Sequence, residues 1–208
     1  MKTRDRILDK ALELMNSKGL ENVSTYDIAR ALDIRQSNIT YYFPTKPDIV
    51  NALAKRMVKD VDSISAIADP QHFSITSFYN MVEETMKVHE KYRFILMNYA
   101  QVITADSELH EHYVKVLKGR PAQFEGLVAI LDANGYVNGK EMLAHSKYLT
   151  LLLNMTAIYW IQEAAIYMAR KSDKARRKHH LTIFFQAFIP YLTAKGKKEL
   201  EMLLDKHA

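Results

Sequence analysis

Apolar residues recur at three- and four-residue intervals along nearly the whole chain, and strand-like alternation is almost absent, so the pattern predicts an all-α protein. Ile7, Leu8, Ala11, Leu12, Leu14 and Met15 mark a first helix from about Thr3 to Ser17, with Gly19 as its stop. Leu20 and Val23 lead to Ser24, whose hydroxyl can cap a second helix while Asp27 reaches back to the cap amide, the capping-box arrangement. Ile28, Ala29 and Leu32 give that helix one apolar stripe, too short to stand without neighbours. Asp33 is the turn residue, since aspartate visits the left-handed conformation at modest cost. Ile34 and Ile39 anchor the next helix inward. Thr45, Pro47 and Asp48 then form a second helix start, opening a long helix from Pro47 to about Ala68 with Ile49, Leu53, Met57, Val61 and Ile64 inward. Asp69-Pro70 breaks it.

The remainder reads as helices at about Ser74 to Tyr92, Phe94 to Ile103, Ser107 to Asn134, Lys140 to Arg170, Lys174 to Leu192 and Lys195 to Lys206. Pro121 should kink or split the third of these near Lys118. Asn134-Gly135 is a stop, and Asn138-Gly139 the next turn. The helices at 140–170 and 174–192 are apolar over more than one face: Leu149, Leu151, Leu152, Leu153, Met155, Ile158, Trp160, Ile161 and Ile166 crowd one, and Leu181, Ile183, Phe184, Phe185, Phe188, Ile189, Tyr191 and Leu192 the other. A helix apolar nearly all round must be covered on nearly all sides. A homodimer pairing these two helices with their symmetry mates would supply the cover.

Between and after the inward anchors of the third helix stand Arg35, Gln36, Ser37, Asn38, Thr40, Tyr41 and Tyr42, nearly all hydrogen-bond formers and none of them a carboxylate. Such a face suits DNA. Gln and Asn can bond two atoms of an adenine edge and Arg two atoms of a guanine edge, while hydroxyls and lysine suit phosphate. The stretch from Ser24 to Phe43 is therefore read as a helix-turn-helix, its second helix built for the major groove. Residues expected to read bases are Arg35, Gln36 and Ser37, helped by Tyr41; those expected to hold phosphates are Thr25, Asn38, Thr40, Tyr42 and Lys46. Lys2, Arg4 and Arg6 are within reach of backbone phosphates if they are not simply a solvated terminus.

Residues 4 to 56 resemble the DNA-binding domain of the TetR family of bacterial transcriptional regulators. The resemblance rests on an opening helix, Gly19, the run Asp27-Ile28-Ala29, Ile34 in place of the usual Val, Tyr41-Tyr42-Phe43, Lys46 and Ile49. Three positions depart from the family pattern: Asp33 replaces a turn glycine, Arg35 a Ser or Thr helix cap, and Thr40 a tyrosine that touches phosphate. The resemblance implies a helix-turn-helix domain over 1–46, a connecting helix over 47–68 that passes small shifts to the recognition helix, and a helical effector-binding and dimerisation domain over 69–208. It also implies a homodimeric repressor on a palindromic operator, released by a small-molecule effector. Among the aromatic and methionine side chains of the body, Tyr79, Met86, Phe94, Met97, Tyr113, Tyr148, Met155 and Tyr159 are the effector-site candidates, although core packing is the stronger account of any single one of them. The alternative is a small-molecule-binding α-helical protein that has lost DNA binding, for which the three departures speak.

Composition narrows the rest. The 208 residues are 48% hydrophobic and 25% charged, as in an ordinary soluble protein, with a formal net charge of +5 that favours polyanions. There is no cysteine, so disulfides, thiolate metal sites and a cysteine nucleophile are excluded. His110 and His112 fall on different helix faces, Glu108 with His112 is an ordinary surface spacing, and the six glycines stand alone, so no metal site, phosphate loop, cofactor motif or enzyme active site is expected. The basic run Lys171 to His180 reads as a solvated connection. The N-terminus has no leader pattern. The fifteen uncharged residues between Lys147 and Glu163 include Asn154 and Gln162, too short and too polar for a membrane span, so a cytoplasmic protein is expected.

Overall fold

The computed structural model describes residues 2–64 and 69–205. Twelve α-helices are formed among them, and no strand. They are α1 (Thr3–Lys18), α2 (Thr25–Leu32), α3 (Gln36–Tyr42), α4 (Lys46–Asp62), α5 (Ile75–Lys91), α6 (Arg93–Met97), α7 (Tyr99–Thr104), α8 (Ser107–Ala133), α9 (Gly139–Ala144), α10 (Ser146–Tyr167), α11 (Asp173–Gln186) and α12 (Ala194–Asp205), with single 3-10 turns at Pro70–His72 and Ile189–Tyr191.

The differences from the sequence reading each have a local cause. The helix expected over 94–103 breaks at Asn98, whose side-chain amide donates to the Phe94 carbonyl at 2.8 Å while its backbone leaves helical geometry, the usual competition of asparagine with the helix ladder. The long helix expected over 140–170 breaks at His145, giving a short α9 capped by Asn138. α11 stops at Gln186 because Pro190 withholds an amide and sits instead in the 3-10 turn. Pro121 does not split α8; the helix runs through it unbroken, its 27 residues retaining enough bonds to absorb the one the ring removes. α4 ends at Asp62, and its expected continuation to Ala68 lies outside the described residues, as does the expected end of the last helix at Lys206.

The helices pack as two compact units, one of residues 1–61 with 88–113 and one of 62–87 with 114–208, the boundaries falling at the end of α4 and within α5 and α8. The lines of packing therefore differ from the linear division at 46 and 68. Residues 88–113 join the N-terminal helices for identifiable reasons. Asn16 on α1 donates to the Lys91 carbonyl at 2.8 Å and accepts the Phe94 amide at 3.1 Å. Tyr92, wholly buried, donates to Asp60 at 2.8 Å and accepts from Arg56 at 3.0 Å, and Arg56 in turn reaches Asp9 at 2.7 Å. Tyr92 and Arg56 thus tie α1, α4 and the start of α6 together. Lys91 closes the set on Asp60 at 2.7 Å.

In the second unit Phe78 and Tyr79 of α5 lie against Phe185 at 5.2 and 5.3 Å between ring centres, with Phe184 and Phe188 completing the cluster. α12 is fastened to α5 by Glu199, which accepts both the backbone amide and the hydroxyl of Thr76, at 2.8 and 2.6 Å. Burial alone would raise the Glu199 carboxyl, but the bonds from Thr76 outweigh it and hold it below its ordinary value. Arg176 donates to the carbonyls of Met168 and Ala169, sealing the end of α10, so part of the basic run has a capping role.

The apolar excess of 140–170 and 174–192 divides unequally. On α11, Leu181, Phe184 and Phe185 are buried within the unit, as is Phe188 just beyond, and Ile183 is the large apolar side chain left exposed. On α10, Leu149, Trp160, Ile161 and Ala164 face inward, whereas Tyr148, Leu151, Leu152, Met155, Tyr159, Ile166 and Tyr167 are exposed. By length and composition α10 is long and apolar enough to cross a membrane, which corrects the expectation that this stretch is too short and too polar; Ser146 to Tyr167 carries a single charge besides Lys147 over 22 residues.

Candidate nucleic-acid interface

The helix-turn-helix forms as its residues dictate. Ser24 accepts the Asp27 amide at 3.1 Å, and Asp27 accepts the Ser24 amide at 2.9 Å, closing the capping box. The Ser24 hydroxyl, then its amide, hold the Asp27 carboxyl below its ordinary value. Asp33 takes φ 54° and ψ 48°, the left-handed turn otherwise given to glycine, and among the described residues it is the one non-glycine with positive φ. Its departure from the family pattern therefore leaves the turn intact. Ile34 then bonds back to the Ala29 carbonyl at 3.1 Å, fixing the start of α3.

α3 begins after Arg35, whose side chain makes no cap hydrogen bond. Ile39 is its one buried residue, and it roots the helix against the unit's core. Arg35, Gln36, Ser37, Asn38, Thr40, Tyr41 and Tyr42 are all exposed, so the seven expected DNA contacts on this helix and at its cap lie on the surface. Tyr41 is 81% exposed and meets Tyr42 edge to face at 5.0 Å. Thr40 spends its hydroxyl proton on the Ser37 carbonyl at 3.2 Å, which leaves oxygen lone pairs but no hydroxyl donor for a phosphate. Thr25, half-buried at the start of α2, accepts a hydrogen bond from the Gln36 amide at 3.1 Å. Lys46 opens α4, where Thr45 and Asp48 form the second capping box: the Thr45 amide reaches Asp48 at 2.8 Å and the Asp48 amide reaches Thr45 at 3.4 Å.

Two features escaped the sequence reading. Tyr26, next to Thr25 and 58% exposed, adds a phenol beside the polar face; its place opposite Ile28 on the α2 wheel was the available signal. Arg4 lies over the ring of buried Phe43 at 4.9 Å, a cation-π contact rather than a side chain simply held in solvent.

The eight effector-site candidates do not belong to one unit. Phe94, Met97 and Tyr113 belong to the first unit, and Tyr79, Met86, Tyr148, Met155 and Tyr159 to the second. Tyr79, Met86 and Phe94 are buried core, and Tyr79 stacks on Phe185; burial, then the Glu83 carboxylate, raise its hydroxyl pKa and keep it protonated. Tyr113 meets Tyr99 edge to face at 5.1 Å. Met97, Tyr148, Met155 and Tyr159 are exposed, the last three lying along the apolar outer side of α10.

Residues 7–53 match the bacterial regulatory proteins of the tetR family, and residues 56–200 match the family described as bacterial transcriptional repressor, TetR. The chain belongs to the TetR family. Among curated relatives of this TetR-family chain, the biofilm operon icaADBC negative transcriptional regulator IcaR of Staphylococcus aureus (strain Newman) is 25% identical over 91 residues, which are 43% of this chain and 49% of that protein. The chain thus spans about half the length of that curated relative. A TetR-family transcriptional regulator from Marinobacter aquaeolei VT8 has the same fold, with a TM-score of 0.88 at 24% identity over 100% of this chain and 99% of that one. A putative transcriptional regulator from Saccharomonospora viridis, in complex with choline, aligns at a TM-score of 0.65 and 19% identity over 91% of this chain and 97% of that one.

Proposed function

We propose that this TetR-family protein is a cytoplasmic homodimeric repressor that reads a palindromic operator and is released by a small-molecule effector. The observation that carries the reading is α3 itself: six exposed hydrogen-bonding side chains on a short helix, with exposed Arg35 at its cap, rooted by one buried isoleucine and set by a turn whose unusual Asp33 adopts the required conformation. Arg35, Gln36 and Ser37, with Tyr41, read base edges in the major groove; Thr25, Asn38, Thr40, Tyr42 and Lys46 position the backbone. The role of Thr40 is narrower than expected, since its proton is committed to Ser37.

The exposed apolar side of α10 supports the dimer. A row of Leu152, Met155 and Tyr159 with Ile166 beyond it is the kind of contiguous patch that marks a protein interface. A second copy supplies an identical row, as two-fold symmetry requires, and sets two recognition helices to read half-sites about one helical turn apart. Tyr148, Met155 and Tyr159 are accordingly assigned to this face rather than to an effector. The choline-bound structure of like fold supports a small-molecule effector. The rival reading, a chain that no longer binds DNA, loses its footing at Asp33, because the substitution preserves the turn.

The division of labour on the DNA is testable by measuring affinity against salt. Lys46→Ala is expected to weaken binding to every duplex alike and to flatten the slope of log K against log salt by about 1, whereas Gln36→Ala is expected to cost about 1 to 3 kcal/mol on the operator alone, with the slope unchanged. Equal losses on all duplexes from both variants would refute it.

A further inference from the structure

We infer that Thr25 is a specificity-determining residue, one that makes Gln36 select adenine and reject guanine at a single position in each half-site. The inference rests on the DNA-reading function proposed above and goes on to say which base is read and why. A glutamine amide has two N–H donors and one carbonyl acceptor. Here Gln36 Nε2 donates one of its hydrogens to Thr25 Oγ1 at 3.1 Å, linking the first residue of α3 to the first residue of α2. Gln36 is the first residue of α3 and exposed, so the rest of its amide faces outward. What it has left to offer is one N–H and one C=O.

That remainder complements one base. In the major groove adenine presents an acceptor at N7 and a donor at N6, so both halves of the remaining amide are satisfied. Guanine presents two acceptors, N7 and O6; a Gln36 with one hydrogen already committed can serve only one of them, and its carbonyl is left against the other. Thymine and cytosine each offer a single polar group to this amide. If the bond to Thr25 is absent, both N–H groups turn outward and guanine can be accommodated. Thr25 therefore sets the donor count, and through it the base. The same bond fixes the side chain's direction before DNA arrives, reducing the rotamer entropy lost on binding. The hydroxyl proton of Thr25 remains available to a phosphate, so its positioning and backbone roles are compatible.

The test uses the full-length protein and duplexes that carry each of the four bases at the position whose identity ceases to matter in Gln36→Ala, with affinity read by fluorescence anisotropy at fixed salt. The wild type is expected to favour adenine over guanine by about 5- to 150-fold. Thr25→Val, which keeps the shape and removes the hydroxyl, is expected to collapse that ratio toward unity, and Thr25→Ser to retain it. A merely structural or phosphate-holding role for Thr25 would lower affinity for all four duplexes and leave the ratio unmoved, which would overturn the inference. So would a wild-type preference for guanine, or a Gln36→Ala variant that discriminates at every position as the wild type does. A wild type that binds all duplexes alike would instead remove the DNA-reading function, and the inference with it. Thermal melting of each variant separates a fold defect from a change of base preference.

Discussion

Leu152→Glu combined with Met155→Glu is expected to yield a folded monomer that no longer holds operator DNA. The two side chains are 50% and 53% exposed on α10, so glutamate in the isolated chain points into water and the core beneath, built on Leu149, Trp160 and Ile161, is untouched. In the proposed dimer the same carboxylates would be buried against their symmetry copies. An ionised group desolvated without a partner costs several kcal/mol, and two-fold symmetry places four of them in one interface. Loss of the dimer then removes the advantage of two linked half-sites, worth about 10²- to 10⁴-fold in DNA affinity. Sedimentation equilibrium reports the mass and anisotropy the binding. A double variant that stays dimeric would place the interface elsewhere; one that becomes monomeric yet keeps full affinity would refute the link between dimer and operator.

Tyr92→Ala should be the most damaging single truncation in the first unit. The ring is wholly buried and its hydroxyl stands between Arg56 and Asp60, so removal leaves both a cavity and two weakened charged groups. Loss of a buried aromatic ring costs about 3 to 5 kcal/mol, whereas Tyr92→Phe, which removes only the hydroxyl, should cost about 1 to 3 kcal/mol. Urea unfolding measures both. The pH dependence adds a signature. Burial would raise the Asp60 carboxyl, but the bonds from Lys91 and Tyr92 prevail and its folded pKa is lowered. The sign follows: Asp60 contributes stability above the unfolded carboxylate range near about pH 4, and the contribution is lost as pH falls through the lower, folded value. Tyr92→Phe should weaken this stabilisation and make unfolding begin at higher pH on acidification. Identical acid-unfolding curves for Tyr92→Phe and wild type would contradict the role given to the hydroxyl.

How much of this could be read beforehand depended on the range of the interaction. The capping boxes at Ser24 and Thr45 involve residues three apart, and the left-handed turn at Asp33 involves one residue, so local chemistry determined them and they were legible. The outward face of α3 followed from helical periodicity around Ile39. The breaks at Asn98 and His145 were not legible, because an asparagine or histidine inside an apolar period is tolerated as often as it interrupts. Membership of 88–113 in the first unit depends on Asn16 and Tyr92 meeting residues far away in sequence, for which a single chain has no periodic signal. The apolar excess on the helices at 140–170 and 174–192 was visible in the residues. Which of them face inward was not, and Phe184, Phe185 and Phe188 close on Phe78 within the unit. The effector candidates were chosen by side-chain type alone, and type does not distinguish the buried Met86 from the exposed Met155.

The measurement that bears most directly on the central claim is selection of bound duplexes from a random DNA pool by the purified protein, at a stated salt concentration because phosphate contacts make affinity steeply salt-dependent. The account predicts enrichment of one inverted repeat whose half-site centres lie about 10 base pairs, one helical turn, or a multiple of that apart. No enriched sequence at low salt, from protein shown to be folded and dimeric, would contradict it.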